Sequence, residues 1–167
     1  MSGFRKAYSI FGVLLMVELA LQFYLIAAAA LNVWGADNNK DTSGSVFSGF
    51  KTGDNFAMAH QFNGSLVIPV TILILIGLSF GARLPRRTKW QTAGLFGLMV
   101  IQLILAGFGS SGGAALAAVG GLHGVNALLI VGLAGMLLYR NWAYRATPAA
   151  ATAPAPPLST SALEAER

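Results

Sequence analysis

Residues 56–80, FAMAHQFNGSLVIPVTILILIGLSF, run for 25 positions without a Lys, Arg, Asp or Glu. An α-helix rises 1.5 Å per residue, so roughly 20 apolar residues cross the hydrocarbon core of a bilayer. This stretch is long enough to span a membrane, and its polar residues His60, Gln61 and Asn63 crowd toward its start. Working outward, the same kind of run recurs from Ala7 to Trp34, from Trp90 to Phe108 and from Leu116 to Tyr139. The sequence therefore predicts an all-α, integral membrane four-helix bundle over residues 1–145, with helices at about 7–34, 56–80, 90–108 and 116–139. Composition agrees: the chain is 55% hydrophobic and only 10% charged, whereas soluble domains carry roughly 25% charged residues.

The first run follows Arg5 and Lys6 and exceeds the apolar region of a signal peptide, so it reads as a retained helix. Cysteine is absent, which excludes disulfides, thiolate metal sites and covalent attachment of a c-type heme. A net charge of +5 invites a nucleic-acid partner, but the placement of the charges argues for topology instead. Arg5, Lys6, Arg83, Arg86, Arg87, Lys89, Arg140 and Arg145 fall on one side of the four runs. On the other side stand only Lys40 and Lys51, among Asp37, Asp41 and Asp54. The positive-inside rule then places both ends of the chain and the 83–89 connection in the cytoplasm, in a multi-pass protein of the cell membrane.

The segment from Gly35 to Asn55 is long for a connection and polar, and reads either as a lid over the outer mouth or as a solvated loop. Gly109 to Gly113 is short and makes the third and fourth helices antiparallel neighbours. Residues 146–167, rich in Ala and Pro, lack the apolar surface to offset ordering and are expected to be a disordered cytoplasmic tail. Pro69 removes a backbone donor inside the second helix, and a mid-membrane kink is expected there. Gly107, Gly120, Gly121, Gly124, Gly132 and Gly135 suggest close helix packing.

Laying the first hairpin over the second exposes an internal repeat. The rising helices align Leu21-Gln22-Phe23-Tyr24-Leu25-Ile26-Ala27 with Ile101-Gln102-Leu103-Ile104-Leu105-Ala106-Gly107, and the descending ones align His60-Gln61-Phe62-Asn63-Gly64 with His123-Gly124-Val125-Asn126-Ala127. The chain's two histidines, His60 and His123, thus fall at equivalent places. A pseudo-twofold axis along the membrane normal can turn the two rings toward each other at one depth. Two imidazoles with no cysteine or carboxylate close in sequence suit the axial ligation of a heme b iron better than zinc, which takes three or four protein ligands. On this reading His60 and His123 are the metal ligands, and Asn63, Asn126, Gln22 and Gln102 line the cofactor site. Gly64, Ala127 and Gly124 would leave room for a flat macrocycle.

Other readings stay open at this point: histidines that only reach headgroups or a backbone carbonyl, polar residues that only stitch helices together, a metal ion, or a proton-transfer pair. Each Asn is free to bond a ring N–H, a propionate or a neighbouring helix. Glu18 shares a helix face with Gln22 and has Leu98 as its counterpart. A carboxyl inside a membrane helix is expensive and by default faces the interior, so Glu18 reads either as a protonated carboxyl that hydrogen-bonds between helices or as a proton relay or quinol contact, the latter in a small transporter or proton-coupled membrane protein. No P-loop, nucleophile elbow or dinucleotide fingerprint is present, and the sequence makes no case for a soluble-type enzyme. The expected partners are the lipid bilayer, a quinone or redox partner protein and a second copy of the chain, with no nucleic acid.

Histidines near the outer ends of the second and fourth helices, with Gln102, Ala106 and Gly107 on the third, resemble one half of the heme A synthase family. The resemblance covers Ala7 to Tyr139 in architecture and implies that His60 and His123 are b-type heme ligands. Two departures stand beside it: the family's carboxylate before the first histidine falls at Ala57, and the cysteine pair of its first outer loop is missing from Gly35 to Asn55. Only one half is present, and a homodimer would restore an eight-helix arrangement. Leu122 to Ile130, LHGVNALLI, also looks like the last helix of a family of small uncharacterised actinobacterial membrane proteins.

Overall fold

The computed structural model describes residues 3–38, 55–110 and 114–143. The expectations for the outer loop beyond residue 38, for residues 111–113 and for the tail from 146 lie outside the described residues. The described part is helical. It consists of α1 (Gly3–Asn38), α2 (Asn55–Phe62), a π-helical turn (Asn63–Val67), α3 (Ile68–Gly81), α4 (Arg86–Ser110) and α5 (Ala114–Asn141). α2, the π turn and α3 form one continuous span, so four helices are long and apolar enough to cross a membrane.

Each helix runs a few residues past its apolar run. α1 extends through Gly35 to Asn38, residues expected in the loop, because backbone bonding continues past the last apolar side chain. The end of α3 has a specific cause. Leu84 N–H donates to the Ser79 carbonyl and Arg83 N–H to the Phe80 carbonyl, the paired bonds of a Schellman ending. That ending needs a left-handed residue, here Arg83 at φ 51°. Pro85 follows, and its carbonyl accepts the Lys89 N–H that opens α4.

α1 packs against the α2–α3 span and α5, and α4 packs against α3 and α5. Buried residues recur along each helix at spacings of three and four, as in Thr88, Thr92, Leu95, Met99 and Gln102 of α4, the stripe of a helix with one core-facing side. Leu15, Ile68, Ile72, Leu95 and Ile130 are fully buried and join all four spans in one core. Three contacts bring the basic residues to one end. Tyr8 bonds Thr92 across the core at 2.9 Å; Thr92 donates to the Thr88 carbonyl, so Tyr8 is the donor. Ser9 Oγ accepts from Ala143 N–H and donates to the Asn141 carbonyl, capping the end of α5. A methyl at Gly81 would meet the Phe4 ring at 2.6 Å.

Five of the glycines expected to mediate close packing, Gly107, Gly121, Gly124, Gly132 and Gly135, make no tight approach. A methyl on Gly107, Gly121, Gly124 or Gly132 would meet nothing within 4 Å, and one on Gly135 only the tip of Met16 at 3.9 Å. The tight approaches are at Gly12, Gly64 and Gly81, because which face of a helix meets its neighbour is set by the whole apolar stripe rather than by local composition.

Candidate functional site

Toward the end of the helices opposite the basic residues, four hydrogen bonds join α1 to α2 and to the π turn that follows it. Gln22 Nε2 donates to the His60 carbonyl at 2.9 Å. Gln22 Oε1 accepts from Asn63 Nδ2 at 2.8 Å, and the same Nδ2 donates to the Glu18 carbonyl at 3.2 Å. His60 Nδ1 lies 3.1 Å from the Gln22 carbonyl. A carbonyl only accepts, so Nδ1 carries the ring proton and Nε2 keeps its lone pair.

α4 and α5 carry the same bonds with one exception. His123 Nδ1 donates to the Gln102 carbonyl at 3.0 Å, and Asn126 Nδ2 donates to Gln102 Oε1 at 2.6 Å and to the Leu98 carbonyl at 2.9 Å. The exception is the Gln22 Nε2 bond, which has no counterpart from Gln102 to His123 among the described residues. Gly64 explains the difference: a methyl there would stand 2.5 Å from Gln22 Nε2, and the matching position in α5 is Ala127, which has that methyl.

The structure thus brings together Gln22, His60 and Asn63 in one hairpin and Gln102, His123 and Asn126 in the other. Asn63 and Asn126 are buried, and both use their amide donors on the neighbouring helix. Both histidines are half-buried. Among the described residues no three His, Asp or Glu side chains converge, so two imidazoles are the nitrogen donors at hand. The room expected beside Gly64 is taken by the Gln22 amide, whereas Gly124, next to His123, has nothing within 4 Å of where its methyl would be.

Just before Pro69 the backbone leaves the regular α-helical ladder. Ile68 N–H bonds the Asn63 carbonyl five residues back, so the chain makes one wide turn just before the proline, which has no N–H to continue the ordinary ladder. The wide turn shifts register by one residue. Asn63 matches Asn126, yet beyond the turn buried Ile68, Ile72 and Leu75 match Ile130, Ala134 and Leu137, one position fewer along the chain.

Glu18 lies one turn from Gln22 and is 7% exposed. Its Oε1 accepts from Thr71 Oγ1 at 2.9 Å, while Oε2 is buried with no hydrogen-bond partner among the described residues. Thr71, a hydroxyl in an otherwise apolar stretch, is the residue sequence reasoning missed; the wide turn that brings it round to Glu18 is not visible in helical spacing. With the register shift applied, Glu18 and Thr71 correspond to Leu98 and Leu133, both packed against the core.

Among known proteins, the model of a family of unknown function, DUF6220, matches residues 47–112, which take in the second span and α4. No curated protein and no solved structure matches the chain.

Proposed function

We propose that this chain is a heme-b-binding integral membrane protein in which His60 and His123 ligate the iron near the outer leaflet, serving electron transfer or heme handling. The observation that carries the reading is the matched engagement of both Nδ1 atoms by main-chain carbonyls, Gln22 for His60 and Gln102 for His123. That bond fixes tautomer and ring orientation and raises ligand basicity, the usual outer-shell arrangement of a metal-ligating histidine. It leaves Nε2 of each ring as the ligating atom. A bound heme would supply one-electron chemistry, with bis-histidine ligation setting its potential.

The matched bonds also support reading the two hairpins as repeats related by an axis along the membrane normal, with His60 and His123 facing across it. Gathering Arg5, Lys6, Arg83, Arg86, Arg87, Lys89 and Arg140 at one end supports cytoplasmic termini, which puts the histidines toward the outside. The resemblance to half a heme A synthase fits this arrangement, but Ala57, fully buried, stands where that family has its carboxylate. Heme binding without heme A synthesis is therefore the reading, with a quinone or redox protein as electron partner and a homodimer as the assembly.

The test is the absorption spectrum of detergent-purified protein expressed with ample heme. A Soret band with reduced alpha and beta bands, lost in His60→Ala and in His123→Ala, is expected; colourless protein would end the proposal. The amide bonds of Gln22, Asn63, Gln102 and Asn126 favour a second reading, a cofactor-free scaffold or accessory subunit held together by those bonds. It predicts colourless protein, histidine variants that keep function, and a co-purifying partner.

A further inference from the structure

Glu18 is the one acidic residue within the four membrane-length spans, Asp37 lying beyond the first. Its carboxyl is buried, with one oxygen held by Thr71 and the other unpartnered among the described residues. A buried polar atom left without a partner is costly, so such a group persists for a reason other than packing. The second hairpin makes the point within the same molecule. It keeps the Gln–His–Asn bonds and fills the corresponding places with Leu98 and Leu133, so the helix pairing does not require a carboxyl.

The surroundings say what the group can bind. The other titratable residues of the spans are Tyr8, Tyr24, His60, His123 and Tyr139, and the basic residues sit at the Tyr8 end. Among the described residues the side-chain partner of the carboxyl is Thr71. Toward the Tyr8 end the fully buried Leu15 and Ile72 close the core, and toward the His60 end lie Asn63 and Gln22. Among the described residues no cation pairs the carboxyl, and the ligand that suits a lone buried oxygen is the smallest one.

We propose that Glu18 binds and releases a proton within the membrane-spanning part of the chain. Release breaks the O–H bond at Oε2 and hands the proton to water, with no change in electron count. Thr71 Oγ1 keeps donating to Oε1 and so supports the anion. The site stands whether or not the histidines hold heme.

Dicyclohexylcarbodiimide, a lipid-soluble reagent that adds to protonated carboxyls in apolar surroundings, is the probe, applied to the full chain in lipid vesicles across a range of pH and read by intact mass and peptide mapping. One adduct per chain is expected at Glu18, lost in Glu18→Gln and falling several-fold as pH rises. A Glu18→Leu/Thr71→Val variant, which copies the apolar second hairpin, is expected to melt no lower than the parent. Three outcomes would overturn the proposal: no adduct at Glu18, an adduct whose yield ignores pH, or a double variant that no longer folds, which would make the carboxyl a structural acid.

Discussion

At Gly64 a single hydrogen atom decides how the first hairpin closes. The Gln22 amide occupies the space a methyl would fill, and from there it reaches the His60 carbonyl. Gly64→Ala should displace only the end of a flexible side chain, costing about 1 kcal/mol, the worth of one hydrogen bond; a modest drop in the detergent melting midpoint checks it. Ala127 at the matching place indicates that the helices still pair without that bond. Arg83 is the opposite case, a residue with a side chain where glycine is favoured: a left-handed conformation costs a non-glycine residue roughly 1–2 kcal/mol. Arg83→Gly should raise stability by about 0.5–1 kcal/mol after the entropy glycine adds to the unfolded chain, again read from the melting midpoint. Neither residue's role was legible in the sequence. A glycine next to an asparagine looks like any small residue, and a left-handed helix ending built on arginine has no glycine at that position to signal it.

The wide turn at Asn63–Val67 is the element that distinguishes the two hairpins. His60 and Asn63 must face Gln22 while Ile68, Ile72 and Leu75 face the core, and an unbroken α-helix cannot satisfy both registers with the residues given. The proline makes the extra residue cheap, since it has no N–H to lose. Deleting exposed Ser65 together with Pro69→Val should therefore give a continuous helix like α5 and a chain that still folds. Deleting Leu73, beyond the turn, should rotate Leu75 out of the core and cost several kcal/mol. Comparing the melting midpoints of the two deletions tests the register argument. Pro69 announced a departure from regular helix; that it would include a one-residue register shift depends on where the neighbouring helices hold each end.

Over the whole molecule, the gathering of basic residues at one end makes a topology prediction that the absence of cysteine renders simple to check. Single cysteines at Lys89 and at Asn55 should differ in intact cells: a membrane-impermeant maleimide should label Asn55→Cys and leave Lys89→Cys untouched until the cells are opened. Helix number, approximate bounds and the separation of charges were set by the sequence alone, because about 20 apolar residues in a row are enough to specify a span and charges cannot be hidden in lipid. The pairing of Gln22 with His60 and Asn63, and of Gln102 with His123 and Asn126, was visible as a repeated pattern, but the sequence left open what each side chain would bond. Only the tertiary structure decided that both Nδ1 atoms meet carbonyls, that Thr71 rather than a repeat-matched residue reaches Glu18, and that Gly107, Gly121, Gly124 and Gly132 are not points of close approach. Those outcomes depend on which faces of four helices meet and on a one-residue change of register, and both are fixed by packing among spans distant in the chain.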